Sequence, residues 1–487
     1  MTLPNWTPRA VWNTETLALL NEVKTDVIPN QTVQNIITES TKFPLAFSTS
    51  TNKCNYLKSV VKEEVLEKNI NSVFPILHES IINLCCIFLL YKRQYGNCRE
   101  EQFFQKLGLK DLIARFIMKR PAAFLKPNDE YKLLDGAAGE GSWESVGTNK
   151  EKPPLIIDNY MEYDEMKLSA FLSISSFTHF VNRGERNNVG KYETDRSKVE
   201  DIGIIVGMVG PRLEKSNVME YQEIVITPNQ NTEDNGFGNN VKRSIPKLFA
   251  NFYEEKCSTY NEMLIAKGED QVGRYIEILR GDIFDNYFYY KRLAITFDTL
   301  LIEANHRSKQ LCKSAYLHVV GLGLGVWKVS DHQNKIYMET FADRIQFLGE
   351  KLYNVSDICF SHLRVEKCGK YSDGEIFIIK GHPNGGIKIH IYNREPHSKL
   401  IGKDTGKLLV VSYAWDGNSL PGNDYWIGSL SGSGDSACAC STQICELHNP
   451  HINSRVRVDN LRIVTSDANV VTLNEYKNIV NRKCTTE

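Results

Sequence analysis

The pattern of hydrophobic and polar positions changes near residue 120 of this 487-residue chain. Before that point apolar residues recur at helical spacing, most clearly in residues 58–93, which predicts helices. The most apolar stretch, residues 81–91 (IINLCCIFLLY), is too short to span a bilayer and predicts a buried helix. We therefore expect residues 1–120 to form an accessory helical region.

From residue 121 onward, short apolar runs alternate with loops and amphipathic segments. Strands are predicted at 202–209, 223–227, 317–320, 375–380, 387–392 and 408–413. Helices are predicted at 245–256, 284–305 and 338–352. Strands separated by helices favour an α/β sheet covered on both faces. Because 375–392 has the pattern of a hairpin, the sheet should be mixed, and residues after about 460 should add one strand and a short helix.

The composition of the chain limits the kinds of partner and the cellular compartment that we expect for it. With 41% hydrophobic residues the chain can bury a large core, and its net charge of −1 favours neither nucleic acid nor an anionic membrane as a partner. Twelve cysteines lack paired CxxC spacing, and residues 1–12 are polar and interrupted by prolines, unlike a secretory leader. These features predict a cytoplasmic or nuclear protein. The cysteines at 438, 440 and 445 do not have zinc-site spacing, so we expect no metal and no cofactor.

Residues 408–426 (LLVVSYAWDGNSLPGNDYW) are the most informative segment. An apolar, β-branched run ends in a turn-rich loop that carries Asp416, Asn418 and Asp424, and Asp435 follows nearby. Polar side chains at the end of a buried strand occupy the place where α/β folds bind ligands. A carboxylate there can polarise a water molecule or stabilise a cationic anomeric carbon. The alternative is that these aspartates form turns and that Asp435 caps the next helix.

A second strand, in AYLHVVGLGLGVWK, leads into a loop with glycines at alternate positions. Glycine lets the backbone approach a ligand closely, and successive N–H groups can converge on phosphate oxygens. The spacing fits neither a Walker A loop nor a dinucleotide fingerprint, and a glycine-rich bulge without a ligand is the alternative. Trp327 either stacks on a ribose or base or anchors the core. The candidate binding segment is Gly321, Leu322, Gly323, Leu324, Gly325, Val326 and Trp327.

Three further polar residues are weaker candidates for ligand contacts. Asn188 lies in the arginine- and asparagine-rich loop 182–188 (NRGERNN), and Asp135 precedes a glycine. Both are candidates for the adenine edge, although Asp135 can simply close a turn. Glu223 ends the segment MEYQE just before an apolar run and can point into an adjoining cleft. The alternative for each of the three residues is a position in a solvated loop that contacts no ligand.

Several of these segments together resemble a known family. They are 182–188, 209–215 (VGPRLEK), 219–223, 321–327 (GLGLGVW), 413–426 and 433–453. Over residues 120–460 the chain resembles macrodomains of the poly(ADP-ribose)-glycohydrolase-like branch, and specifically the MavL-type ADP-ribosylhydrolases. The resemblance implies a three-layer α/β/α macrodomain, with the ADP-ribose diphosphate on the glycine loop. It also implies that Asp416 and Asp424, with Asp435 as a third candidate, lie near the distal ribose.

The resemblance further implies hydrolysis of ADP-ribosyl-arginine, with ubiquitin as the modified protein. The segment MEYQE places Gln222 and Glu223 where the glycohydrolases have Gln-Glu, but Ile224 stands where they have a second glutamate. Because this second glutamate is missing, the aspartates of residues 413–435 are favoured over the MEYQE segment as the catalytic acids.

The complete prediction is an accessory region (1–120), a macrodomain-like catalytic domain (121–460) and a C-terminal extension (461–487). We expect a monomeric hydrolase that removes ADP-ribose from arginine of a modified protein. A reader that binds ADP-ribose without cleaving it, a poly(ADP-ribose) glycohydrolase, and a helical interaction protein with an inactive macrodomain are the alternatives.

Overall fold

The structure is a computed structural model that describes residues 2–416 and 418–486. The helices are α1 (Thr14–Glu22), α2 (Val33–Lys42), α3 (Cys54–Leu57), α4 (Glu63–Asn71), α5 (Glu79–Tyr95), α6 (Cys98–Phe104), α7 (Leu109–Met118), α8 (Tyr163–Ser169), α9 (Tyr221–Ile224), α10 (Ile245–Phe252), α11 (Tyr260–Gly268), α12 (Asn286–Gln310), α13 (Gln333–Leu348), α14 (Gly434–Ser441), α15 (Ile444–Leu447) and α16 (Leu473–Thr486). The strands are β1 (Phe74–His78), β2 (Ala123–Leu125), β3 (Glu130–Lys132), β4 (Ala138–Gly139), β5 (Ser173–His179), β6 (Ile202–Met208), β7 (Val225–Ile226), β8 (Tyr275–Glu277), β9 (Ile283–Asp285), β10 (Ala315–Val319), β11 (Val355–Phe360), β12 (Lys367–Cys368), β13 (Tyr371–Ser372), β14 (Ile376–Ile378), β15 (Gly386–Ile391), β16 (Leu408–Ala414), β17 (Arg462–Val464) and β18 (Val470–Thr472).

One sheet of ten strands organises the molecule, in the order β14-β15-β11-β10-β16-β6-β5-β1-β17-β18. The five consecutive strands β15, β11, β10, β16 and β6 are parallel. Strand β14 joins β15 as an antiparallel hairpin, and β5 is antiparallel to both β6 and β1. Strand β1 is parallel to β17, which pairs with β18 in antiparallel fashion. The predicted mixed sheet in an α/β protein is therefore confirmed.

The core lies where the sheet meets its long helix. Strands β10, β11 and β16 are buried almost throughout, as expected for interior parallel strands with both faces covered. Helix α12 packs across β1, β6, β10, β11 and β16 and buries Leu293, Phe297 and Leu300 completely. Phe297 also contacts Phe341 of α13, with ring centroids 4.6 Å apart. Each fully buried aromatic or leucine side chain stabilises the fold by about 1.5–3 kcal/mol.

The parallel arrangement determines where a site can form. Strands β10 and β16 are neighbours in register, with His318 opposite Val411, so the loops that follow them leave the same edge of the sheet. Strand β6 lies on the other side of β16 and ends at that edge as well. The glycine loop (residues 321–327), the acidic loop (the loop after β16 that carries Asp416 and Asp424) and the residues after Met208 are therefore close in space although they are far apart in the sequence.

Most predicted elements occur with small shifts of their ends. Strands β6, β10, β14, β15 and β16, the predicted hairpin and helices α10, α12 and α13 are confirmed. The predicted strand 223–227 is wrong at its start, because Tyr221–Ile224 is a helical turn and only Val225–Ile226 pairs as a strand. Strands β1, β5 and β11 were not predicted.

The ends of the chain contribute to the main sheet. Residues 1–120 are mainly helical as predicted, and the apolar stretch 81–91 lies within α5, but β1 also comes from this region. Residues 461–487 provide β17, β18 and α16, which is one strand more than predicted. The division at 120 and 460 remains a prediction about independent folding units. Among the described residues, no helix has the length and apolar content needed to cross a membrane.

Candidate active site

A cleft of about 680 Å³ opens at the carboxyl ends of β10 and β16. Gly321 and the residues from Gly323 to Trp327 line it together with Asp416 and Asp435. The two loops singled out in the sequence therefore border a single cleft. Its volume lies within the range of about 300–1,000 Å³ that is usual for small-molecule sites.

The glycine loop, which lines this cleft, contains unpaired amides. Within residues 2–416 and 418–486, the backbone N–H groups of Gly321, Gly323, Gly325 and Val326 donate no hydrogen bond. Gly323 has a φ of +72°, a left-handed conformation that favours glycine. Unpaired N–H groups in a curved segment form an anion-binding surface.

The loop is supported from behind by the segment after β6. A Cβ on Gly210 would lie only 2.2 Å from the nitrogen of Gly323, so the two backbones are in direct contact. Leu322 is buried in the core and anchors the loop. Trp327 lines the cleft yet is only 8% exposed, so it is both a wall of the cleft and a core residue.

Three aspartates converge beside the cleft, and two of them, Asp416 and Asp435, line it, whereas Asp424 does not. One carboxylate oxygen from each of Asp416, Asp424 and Asp435 lies within 4.8 Å of the other two. Asp435 belongs to the first turn of α14, and its Oδ2 accepts a hydrogen bond from the N–H of Asp424 at 3.1 Å. The alternative that Asp435 is the helix cap is wrong, because Ser433 is the N-cap and accepts from the N–H of Ser436.

The environment of these carboxylates is electrostatically unfavourable for their ionised forms. Burial, together with the charges of Asp424 and Glu214, raises the pKa of Asp416 to about 7, although Arg212 opposes the shift. Burial and the charges of Asp416 and Asp424 raise the pKa of Asp435 well above its usual value. Negative charge is therefore crowded at one end of the cleft.

The acidic loop is braced by segments distant in the sequence. Asn423 accepts a hydrogen bond from the N–H of Phe124 at 2.7 Å and donates one to its carbonyl at 3.2 Å. The hydroxyl of Tyr425 accepts from the N–H of Thr49 at 3.0 Å and donates to its carbonyl at 3.1 Å. The ring of Trp426 lies 5.2 Å from that of Phe43. Residues of the N-terminal region thus help to position the loop that carries Asp424.

The remaining predicted residues do not line the cleft. Asn418 is buried and accepts a hydrogen bond from Ser169 at 3.2 Å. Asn188 donates to the carbonyl of Ala437 at 3.0 Å, so it ties its loop to α14. Both amides therefore support the backbone around the site.

Asp135 and Glu223 also lie away from the cleft lining. Asp135 is exposed and accepts from the N–H of Ala137 at 2.9 Å, which closes a turn. Glu223 forms a buried ion pair with Lys167, with an Oε1–Nζ distance of 2.5 Å. Burial raises the pKa of Glu223 to about 7, although Lys167 opposes the shift.

Two buried histidines in the cleft lining were not predicted. The Nε2 of His318 lies 3.3 Å from the carbonyl oxygen of Arg394, and burial lowers the pKa of His318 to about 3. The ring of His397 stacks on Phe180 at 4.1 Å. The signal for His318 was present in the sequence, since a polar side chain in the run AYLHV must find a buried partner.

Comparison with known proteins identifies the family of the chain. A family model described as "ADP-ribosylhydrolase MavL-like" matches residues 34–479. The chain belongs to the MavL-like ADP-ribosylhydrolase family. The resemblance to MavL-type ADP-ribosylhydrolases is therefore confirmed, and the match also includes most of residues 1–120, which the sequence motifs did not cover.

Two proteins of Drosophila melanogaster are similar along most of their length. The protein named ADP-ribosylarginine hydrolase CG2909 is 40% identical over 457 residues, which cover 92% of this chain and 90% of that protein. ADP-ribosylarginine hydrolase CG3568 is 38% identical over 426 residues, or 85% of this chain and 82% of that protein. In both cases the similarity extends well beyond the cleft.

Proposed function

We propose that this protein hydrolyses the N-glycosidic bond between ADP-ribose and an arginine side chain of a modified protein. The observation that carries the proposal is a single cleft lined both by a loop with unpaired backbone amides and by Asp416 and Asp435, two members of a group of three carboxylates. The names of the two fly relatives support arginine as the linkage.

The two sides of the cleft suit the two ends of the substrate. We assign the diphosphate to the free N–H groups of Gly321, Gly323, Gly325 and Val326, since amides that converge on oxygen atoms favour an anion. The distal ribose then lies towards Asp416 and Asp435, with Asp424 directly behind them. The five parallel strands with a cleft at their carboxyl ends support the macrodomain-like architecture.

The carboxylates match the charge changes of the reaction. When a water oxygen attacks the anomeric carbon, the bond to the guanidine nitrogen breaks and its electron pair stays on that nitrogen. A carboxylate takes the proton from the water, and a carboxyl group of the same cluster gives a proton to the guanidine nitrogen, so that arginine leaves as its guanidinium. Negative charge next to the anomeric carbon stabilises the positive charge that develops there.

Turnover on a protein carrying ADP-ribosyl-arginine tests the proposal. We expect the wild type to release ADP-ribose, and Asp416→Asn to lower kcat by about 10²–10⁴-fold while ADP-ribose affinity changes little. Asp467→Asn, at a carboxylate that is 65% exposed on the last turn before β18, is the matched control. Binding of ADP-ribose without release from any linkage would instead identify a reader.

Different substrates are needed to identify the modified protein and to distinguish cleavage of a single ADP-ribose from cleavage of poly(ADP-ribose). We propose ubiquitin as one substrate, a cytoplasmic or nuclear location, and a monomer. ADP-ribosylated ubiquitin should be compared with an unrelated ADP-ribosyl-arginine protein and with poly(ADP-ribose). Preferential cleavage of the polymer would favour a glycohydrolase over the proposed activity.

A further inference from the structure

Among the described residues, three arginine and lysine side chains line the cleft, and the protein engages two of them. Arg186 donates a hydrogen bond to the carbonyl of Gly432 at 2.9 Å, and Lys328 forms an ion pair with Asp331 at 2.7 Å. The third, Arg364, is exposed, and its side chain forms no hydrogen bond, ion pair or ring contact within the part of the chain that the structure describes. One guanidinium of the lining is therefore available to a ligand.

The order of the strands places Arg364 beside the glycine loop, on the side away from the aspartates. Strand β10 lies between β11 and β16, and all three strands are parallel. Arg364 belongs to the loop after β11, whereas Asp416 follows β16. The preceding residue, Leu363, touches the glycine loop, because a Cβ on Gly321 would lie 2.6 Å from its Cδ2. In strand order, the glycine loop thus lies between this guanidinium and the carboxylates.

The acids on this side of the cleft have other neighbours. Lys328 and, more weakly, the charge of Arg364 lower the pKa of Asp331, so the guanidinium also lies near the end of the glycine loop. Glu395 lines the cleft as well, but burial and the charge of Glu185 raise its pKa. Neither acid forms an ion pair with Arg364 among the described residues.

We propose that Arg364 binds the diphosphate of the substrate together with the glycine loop and so selects ligands that carry this group. The assignment rests on the proposed function in one respect, which is that the ligand contains a diphosphate. It names a residue for which neither the sequence motifs nor the glycine loop gave any indication.

The chemistry of arginine suits this position. The planar guanidinium donates two parallel hydrogen bonds to phosphate oxygens, which a lysine cannot do. Backbone amides of the glycine loop supply donors but no net charge, so a cation beside them strengthens the binding of a dianion. Asp416 and Asp435 repel phosphate from their own end of the cleft. The two effects act in the same direction and hold the diphosphate on the glycine loop.

Titration calorimetry with ADP-ribose on the full chain measures the contact. We expect Arg364→Gln to weaken binding about tenfold at low salt, since hydrogen bonds to charged groups contribute at the lower end of their range at an exposed site. Arg364→Lys should weaken it less, because the charge remains while the paired donors are lost. The difference between the wild type and Arg364→Gln should shrink between about 50 mM and 500 mM NaCl, because salt screens exposed charges.

A matched control and a kinetic measurement separate this role from a general effect on the protein. Arg457 is also exposed, without a described ion pair and outside the cleft lining, so Arg457→Gln should bind ADP-ribose as the wild type does. All three variants should melt at the wild-type temperature. On ADP-ribosyl-arginine protein, Arg364→Gln should raise KM about tenfold and leave kcat within twofold, because the contact is the same in the ground state and in the transition state.

The outcomes distinguish this assignment from the proposed function. Binding of ADP-ribose by Arg364→Gln within twofold of the wild type, or a loss of affinity that does not depend on salt, would overturn the role of Arg364 and leave the proposed hydrolysis intact. A salt-dependent loss of affinity would uphold the assignment even if the wild type released no ADP-ribose from arginine, and then only the proposed hydrolysis fails. If the wild type binds no ADP-ribose, both fail.

Discussion

The contact between Gly210 and the glycine loop allows a sharp prediction about ligand binding. In Gly210→Ala the new Cβ would lie 2.2 Å from the nitrogen of Gly323 and 2.4 Å from the carbonyl carbon of Leu322. Contacts below 3.0 Å are essentially never found for real Cβ atoms, and both neighbours are backbone atoms. The loop must therefore move by roughly 1 Å towards the cleft.

The expected loss of affinity and of catalytic efficiency follows from the precise alignment that a catalytic site requires. A displacement of about 1 Å typically lowers catalytic efficiency by about 10²-fold, which corresponds to about 2.7 kcal/mol. We expect both the affinity for ADP-ribose, measured by calorimetry, and kcat/KM on ADP-ribosyl-arginine protein to fall by about this factor. Overpacking should also lower the free energy of unfolding by about 1–3 kcal/mol, measured by urea denaturation.

Two glycine variants serve as controls for this experiment. A Cβ at Gly268, at the end of α11, meets no atom within 4 Å, so Gly268→Ala should leave binding and stability near the wild type. A Cβ at Gly325 also meets no protein atom, so loss of affinity in Gly325→Ala would report contact with the ligand. If Gly210→Ala binds ADP-ribose within twofold of the wild type, the glycine loop does not hold the diphosphate.

Two further predictions concern elements that support the site and the sheet. Tyr425→Phe leaves the partly buried N–H and carbonyl of Thr49 without their partner, so we expect a loss of about 1 kcal/mol in the free energy of unfolding, measured by urea denaturation, and a lower kcat. Tyr353→Phe, at a side chain that is 56% exposed, should change neither. Burial alone would raise the pKa of Asp357, but hydrogen bonds from His390, Lys407 and Ser356 lower it to about 2. The ionised form of Asp357 therefore stabilises the fold above its unfolded pKa, and this contribution of about 2 kcal/mol should disappear as the pH falls from about 5 to 2. Urea denaturation across that range should show a weaker pH dependence for Asp357→Asn than for the wild type, and identical slopes would contradict this assignment.

The sequence patterns predicted those buried strands that consist mainly of apolar side chains. Strands β10 and β16 stand out because nearly every side chain is apolar or β-branched. Strand β5 (SISSFTH) is equally buried, but its hydroxyls are satisfied by distant partners. Ser176 pairs with His448 at 2.8 Å, and Ser175 accepts from Arg307 at 3.2 Å. A single sequence does not reveal such partners, so the segment has the pattern of a polar loop.

The same limit explains which parts of the site were predicted. Asp416, Asp424 and Asp435 were identified because acids in a loop after a buried strand are informative locally. The mutual approach of their oxygens depends on the fold of residues 416–435 and was not predictable. Thr49 binds the hydroxyl of Tyr425 although it lies 376 residues earlier in the chain, and no local sequence pattern indicates this contact.

The position of β1 within the sheet has a practical consequence for anyone who divides the chain. Strand β1 fills the gap between β5 and β17, so a fragment that begins at residue 121 would leave one whole side of β5 without a hydrogen-bonding neighbour. Bare strand edges of this kind recruit other chains and promote aggregation. Such a fragment would also lack the hydrogen bonds of Thr49 to the loop of Asp424. Recombinant work aimed at a minimal hydrolase should therefore retain the first 78 residues rather than trim to the cleft-forming segment.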